Sequence, residues 1–188
     1  MEAVFPQQFI QSKTVCRTIG VAAFMILMVV SAFVRIPVPL SPVPVTLQTL
    51  VVLLCGACLG SSLGVTAQLG YTSMGLAGLT VFSGAGSGLG YLCGPTGGYI
   101  AGFIAANALL GRLFRQRRAN FYAIVGKFLA ADAVVFICGM LWLKILFGYG
   151  LSTLFSIGVA PFIIGDLAKI LIAAAIFSKI QPRVRQIF

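Results

Sequence analysis

The stretch that decides the fold is the uncharged run at 36–111, which opens with "IPVPLSPVPVTLQTLVVLLCGACLG" (36–60). No charged residue occurs between Arg35 and Arg112, so the run is 76 residues long. A membrane-spanning helix needs about 20 apolar residues, and the run therefore has room for two or three of them. Over the whole chain, 60% of the 188 residues are hydrophobic and 9% are charged, whereas soluble domains carry about 25% charged residues. The sequence predicts an integral membrane protein.

Proline and glycine divide the chain into six apolar segments, which we place at 17–35, 46–60, 62–80, 97–114, 121–147 and 160–180. Backbone in lipid has to satisfy its own hydrogen bonds, so these segments are expected to be helices. A membrane β-barrel would instead show alternating polarity, which runs such as "FMILMVV" (24–30) lack. The predicted fold class is all-α, one membrane domain over 1–188 with six transmembrane helices.

Charge predicts the orientation of this bundle, because six crossings place both termini on one side. Nine basic residues fall on that side: Lys13, Arg17, Arg112, Arg115, Arg117, Arg118, Lys179, Arg183 and Arg185. The opposite side carries only Arg35 and Lys144. By the positive-inside rule the basic side is cytoplasmic. The net charge of +10 is then explained by topology and by contact with anionic lipids, and it requires no nucleic acid partner.

A pair of opposite charges interrupts the last apolar segment. The sequence "GDLAKI" (165–170) places Asp166 and Lys169 three residues apart, where the two side chains share one helix face. Each charge at the centre of a bilayer costs about 2.5–3.5 kcal/mol. The pair could be a self-satisfied ion pair that stabilises the bundle. We favour a polar floor beneath a binding site, because ionisable residues inside a membrane are functional candidates by default.

Two unusual loops fall on the same, external side as this pair. The first is the proline-rich stretch at 36–45, and the second is the glycine-rich loop "FSGAGSGLGYLCGPTGG" (82–98). Glycine permits tight turns and a close approach of backbone to a ligand. Either loop alone could be a simple connection. Lying over a charged pair, they predict a pocket for a small polar solute that arrives from outside.

The chain also resembles a known family in three places: "SPVPVTLQTLVVLLCGACLG" (41–60), "GYTSMGLAGLTVFSGAGSGLGYLCGPTGGYIAGF" (70–103) and "GDLAKI". These motifs resemble the BioY family, the biotin-binding S components of energy-coupling factor (ECF) transporters. The resemblance implies a six-helix S component in the bacterial cytoplasmic membrane that captures biotin from outside. It implies no cofactor. As partners it implies a transmembrane T component and two ABC ATPases, which power inward release.

Carried over by position, the resemblance implies nine ligand-binding residues: Thr46, Gln48, Gly84, Gly86, Gly88, Tyr91, Tyr99, Asp166 and Lys169. The chain departs from some relatives at Ile100, where they carry an arginine. It also has Ile26 and Leu27 on the first helix, where S components often carry an alanine that packs against the T component. An S component for another vitamin-like solute and a stand-alone facilitator therefore stay open as alternatives.

Other chemistry has little support in the sequence. The chain has no histidine and three acidic residues, too few for an acid–base or metal site, so an intramembrane enzyme is disfavoured. Cys55 and Cys58 have C-x-x-C spacing but no second pair, and we expect small buried residues there. Rows of small residues, such as Gly98-x-x-x-Gly102, are expected to let helices pack closely.

Overall fold

The computed structural model describes residues 13–39, 41–115 and 119–187, the last three by their backbone alone. Within these residues, two strands and seven helices follow one another as α1 Lys13–Phe33, β1 Arg35–Ile36, β2 Val45–Thr46, α2 Gln48–Leu76, α3 Gly88–Leu92, α4 Gly97–Leu113, α5 Phe121–Phe147, α6 Leu151–Gly158 and α7 Ile163–Ile187. The all-helical prediction is confirmed, with one small ribbon added. Arg117, Arg118 and the side chain of Arg185 lie outside the described residues.

The long helix α2 consists of two antiparallel halves. At Gly60 the backbone leaves the helical region, with φ 76° and ψ −177°, a conformation that favours glycine. In a straight helix Gln48 and Tyr71 would be about 34 Å apart. Instead, Nε2 of Gln48 donates a hydrogen bond of 2.8 Å to the hydroxyl of Tyr71. This reversal coincides with the predicted boundary between the second and third apolar segments.

The count of membrane crossings by helix length differs from the six predicted. Among the described residues, α1, α2 and α5 are each long and apolar enough to cross a membrane, and α6 with α7, bent by 54°, count as a fourth if the pair is one span. The difference arises because α2 folds back on itself and because α4 has only 17 residues.

The last predicted segment, 160–180, begins and ends elsewhere in the structure. Its first residues, 160–162, belong to the turn between α6 and α7, and α7 begins at Ile163. Its end is extended, because α7 runs through Pro182 as far as Ile187. A proline ring removes one backbone donor from a helix but does not always end it.

The outer surface of the bundle is apolar. On α1, Ile19, Ile26 and Val30 are 62%, 64% and 56% exposed, and large aliphatic side chains are exposed along α5 and α7 as well. Soluble monomers rarely present such continuous apolar surface to water. This surface fits the acyl chains of a bilayer and marks the protein as an integral membrane protein.

Close packing between helices depends on glycine. A Cβ on Gly102 of α4 would lie 2.8 Å from the Cα of Val135 on α5. A Cβ on Gly98 would lie 2.7 Å from the carbonyl oxygen of Cys138. The predicted role of this glycine row in packing is confirmed. Cys55 and Cys58 are free and buried, as expected.

A short antiparallel ribbon closes the proline-rich loop. Its strands β1 and β2 pair Arg35 with Thr46 and Ile36 with Val45, and the amide of Leu47 donates to the carbonyl oxygen of Val34 at 3.1 Å. The ribbon brings the end of α1 against the start of α2. It thereby fixes the chain at one edge of the candidate site.

Candidate ligand-binding site

A cavity of about 50 Å³ lies where the start of α2, the glycine-rich loop and helices α4, α5 and α7 meet. Six of the nine predicted site residues line it: Thr46, Gln48, Tyr91, Tyr99, Asp166 and Lys169. They come from three regions of the sequence, and the fold brings them together. The walls are mostly apolar, with few polar groups, as is typical of small-molecule sites.

Three side chains form a charged centre on the cavity wall. Nζ of Lys169 lies 2.6 Å from Oδ1 of Asp166. The hydroxyl of Thr49 donates to the same Oδ1 at 2.9 Å and accepts from Nζ at 3.1 Å. Asp166 is 3% and Lys169 8% exposed, so both charges have left water. Such burial requires pairing and hydrogen bonding to be tolerated.

The pair keeps unused hydrogen-bonding capacity. An ammonium has three donors and an ionised carboxylate about four acceptor sites. Within the described chain, Lys169 donates to Asp166 and Thr49, and Oδ2 of Asp166 receives no hydrogen bond. A ligand with adjacent donors and acceptors could therefore bind both residues while their ion pair stays intact.

A hydrogen-bonded chain fixes the side of the cavity next to this centre. The hydroxyl of Thr46 donates to Oε1 of Gln48 at 3.3 Å, and Gln48 donates to Tyr71. The hydroxyl of Tyr71 in turn donates to the carbonyl oxygen of Val81 at 3.2 Å. These bonds connect the ribbon, both halves of α2 and the start of the glycine-rich loop. The predicted residues Thr46 and Gln48 thus sit at the cavity with their orientation set by neighbours.

Aromatic rings form the remaining walls. Tyr91 stacks on Phe82 with ring centroids 4.9 Å apart and an angle of 19° between planes, and its hydroxyl donates to the carbonyl oxygen of Ser83 at 3.1 Å. Burial raises the pKa of the Tyr91 phenol, which therefore stays a neutral donor. Tyr99 donates to the carbonyl oxygen of Gly158 at 2.8 Å. Flat, fixed rings of this kind suit contact with an apolar ring system.

The three glycines predicted to bind the ligand, Gly84, Gly86 and Gly88, do not line this cavity. They shape the loop instead. A Cβ on Gly86 would overlap the ring of Tyr91, so the lack of a side chain at Gly86 lets that ring lie flat. Gly84 and Gly88 have φ of 75° and 79°, values that a residue with a side chain rarely adopts. Their role in this structure is to place Tyr91 and Phe82.

Sequence reasoning missed several lining residues: Thr49, Tyr71, Phe82, Ser83, Thr96 and Phe162. Thr49 had a signal, because it follows Thr46 by three residues in "TLQT", at the start of a helix. Phe162 precedes Asp166 by four residues and shares its helix face. Tyr71 had no such signal, since it lies 23 residues from its partner Gln48.

Asp132 lies on α5 near the charged centre. It is 6% exposed, and the charges of Asp166 and Lys169 both act on it. One turn further along α5, Val135 and Phe136 line the cavity. Asp132 therefore belongs to the surroundings of the site and does not line it.

The chain is similar to known proteins over nearly its whole length. The family model described as "BioY family" matches residues 7–186. A probable biotin transporter BioY of Pyrococcus horikoshii is 36% identical over 161 residues, which are 86% of this chain and 93% of that protein. The biotin transporter BioY of Thermotoga maritima is 34% identical over 158 residues, 84% of this chain and 91% of the relative.

A solved structure shares the fold. The S component for biotin from an ECF-type ABC transporter superposes with a TM-score of 0.84, covering 92% of this chain and 94% of that one at 24% sequence identity. Architecture, motif order and family match agree, and the chain belongs to the BioY family.

Proposed function

We propose that this protein is the substrate-capture subunit of a biotin uptake system. The observation that carries the proposal is the buried Thr49–Asp166–Lys169 centre, which faces an aromatic cavity in a membrane protein whose relatives are named biotin transporters. The protein acts as a transport subunit, not an enzyme. Biotin is its ligand and is released unchanged.

The chemistry of biotin matches this centre. Its ureido ring has N–H donors beside a carbonyl acceptor, and the wall offers a carboxylate beside an ammonium. Oδ2 of Asp166 accepts from a ureido N–H, and Lys169 donates to the ureido oxygen. The fused sulfur ring contacts Tyr91 and Tyr99, while Thr46 and Gln48 border the polar end. Charge-assisted hydrogen bonds of this kind are worth about twice a neutral one.

Biotin enters a cavity that has to widen. A volume of about 50 Å³ is room for a few water molecules, since each needs about 10–15 Å³ measured in this way. Ligand sites usually span about 300–1,000 Å³. The cover next to the cavity consists of Val43 and Pro44 on one side and the Phe82–Tyr91 stack on the other. Binding therefore moves the proline-rich and glycine-rich loops apart and then closes them over the ring.

The proposal includes the membrane topology. The crossings are α1, the two halves of α2, α4, α5 and α7, and both termini are cytoplasmic. The outward-facing end then carries the proline-rich loop, the glycine-rich loop and the cavity between them. The proposed site of action is the bacterial cytoplasmic membrane.

Labelling Cys93 tests this orientation. Cys93 is exposed in the glycine-rich loop, so a membrane-impermeant maleimide should modify it in intact cells. The control places a cysteine at the other end of the bundle, as Arg112→Cys in a Cys93→Ser background. That variant should react only after permeabilisation. Labelling of the control but not of Cys93 in intact cells would show that the termini face outward.

Release of biotin inward is assigned to partners. We propose a transmembrane T component and two ABC ATPases, which topple the capture subunit in the membrane. The exposed face of α1, with Ile26 and Leu27 at 64% and 47% exposure, is the surface for the T component. Side chains larger than alanine on this face predict weaker docking than in S components that carry small residues there.

Calorimetric titration of the purified protein tests the capture function directly. In detergent and without partners, the protein should bind one biotin, and thiamine and riboflavin should give no heat of binding. A biotin-dependent rise of the melting temperature checks that the folded state is the one that binds. If folded protein binds thiamine or riboflavin but not biotin, the fold is retained and the ligand assignment is wrong.

A further inference from the structure

Arg35 is a cation that the site described above does not use. It lies on β1, directly opposite Thr46 on β2. Side chains of directly opposed residues in an antiparallel pair project from the same face of the ribbon. Thr46 lines the cavity, so the side chain of Arg35 leaves the ribbon on the side of the cavity.

The guanidinium of Arg35 reaches across to the glycine-rich loop. Its Nη1 is 2.5 Å from the position that a Cβ on Gly84 would occupy, so it packs against backbone that has no side chain. Its charge also acts on the phenol of Tyr91, which lines the cavity. Arg35 thus bridges the ribbon and the loop at the mouth of the cavity.

This cation has no carboxylate partner in the described chain. The ion pair that the structure does contain joins Asp166 and Lys169, and Arg35 is exposed. Arginine presents its N–H donors in a planar fork that matches a carboxylate with two parallel hydrogen bonds. A guanidinium at a pocket mouth is therefore suited to an anionic group that extends outward from the ligand.

Biotin has such a group at the end of a flexible tail. With the ureido ring at the Thr49–Asp166–Lys169 centre, the tail points away from this charged pair. Thr46, the strand partner of Arg35, precedes Thr49 by three residues, so their Cα atoms are at most about 11 Å apart. The five-carbon tail of biotin and the long side chain of Arg35 approach each other from the two ends of that distance.

We propose that Arg35 binds the carboxylate of biotin and makes the site selective for the free acid. This role rests on the biotin-capture function proposed above. It assigns each end of the ligand to a different cation, with Lys169 at the ring and Arg35 at the tail. Biotin whose carboxyl group is blocked is then a poorer ligand, although every ring contact is retained.

The test compares biotin with its primary amide, which has the same ring and tail but no charge. Affinities are measured by calorimetry for the wild type, Arg35→Gln and Arg35→Lys, with Lys144→Gln as the control. Lys144 is the other cation assigned to the outer side and lies in the last turn of α5. We expect Arg35→Gln to weaken biotin binding about tenfold or more, the range for a hydrogen-bonded charge. Binding of the amide should change less than about threefold.

Two further results complete the expected pattern. Arg35→Lys should recover part of the preference for the acid, because it keeps the charge and loses the fork. Lys144→Gln should bind both ligands as the wild type does. Equal losses for acid and amide in Arg35→Gln would show that Arg35 only supports the loop at Gly84. Unchanged affinities would show that the carboxylate binds elsewhere. A wild type that binds neither ligand would instead refute the capture function itself.

Discussion

Biotin binding should fall by at least about 100-fold in Lys169→Met and in Asp166→Asn, the largest loss that we expect from any single exchange at the site. Each substitution removes a charged hydrogen-bonding group and leaves the other charge buried. Breaking a buried ion pair by removing one partner costs about 3–5 kcal/mol of stability. Both variants should therefore melt at lower temperature as well as bind weakly, as calorimetry and thermal unfolding can show.

The double variant Asp166→Asn/Lys169→Met separates binding from structural support. Replacing both members of a buried pair is often neutral for stability, so the double variant should melt near the wild-type temperature and still fail to bind. Lys179→Met, on an exposed part of the same helix, is the matched control and should change neither property. Recovery of biotin binding in the double variant would mean that the pair only stabilises the bundle, the simpler of the two roles considered for it.

Helix content could be predicted from sequence because it depends on local hydropathy. The uncharged run predicted helices in lipid, and α5 begins and ends at the predicted residues 121 and 147. The reversal at Gly60 coincides with a predicted boundary, since only a glycine tolerates that backbone conformation without cost. Helix α6 was not predicted, because eight residues are too few to be recognised as a membrane-spanning segment. Gly158 and Pro161 mark the break between α6 and α7, and the predicted last segment accordingly begins at 160, inside this turn.

The lining of the site was predictable only in part, for a physical reason. Charged residues such as Asp166 and Lys169 are conspicuous in an apolar segment because burying them costs free energy. Tyr71 is not conspicuous, because an apolar helix that is buried on several faces has no polar side to indicate which residues face a cavity. The glycines of the loop were predicted to bind the ligand themselves. In the structure they act indirectly, by allowing the aromatic rings that line the cavity to pack.

Gly111→Ala should be among the most destabilising single-methyl additions to this protein. Gly111 lies on α4, where a Cβ would overlap the backbone nitrogen of Ser61 just after the reversal of α2. The obstacle is main chain, which no rotamer change can move, so α4 has to shift away from the α2 turn. Overpacking of this kind costs about 1–3 kcal/mol and occasionally more. Thermal unfolding in detergent should show a melting temperature several degrees below the wild type.

Gly126→Ala is the matched control, since it adds the same methyl group to another helical glycine. Nothing lies within 4 Å of a Cβ at Gly126 on α5, and alanine favours a helix over glycine by about 1 kcal/mol. This variant should melt at or slightly above the wild-type temperature. Because Gly111 is remote from the cavity, Gly111→Ala protein that is still folded should bind biotin with nearly normal affinity. Equal melting temperatures for the two variants would show that the packing of α4 on α2 does not depend on backbone contact at Gly111. The two antiparallel halves of α2 would then have to be stabilised mainly from the cavity side, through the hydrogen bond between Gln48 and Tyr71.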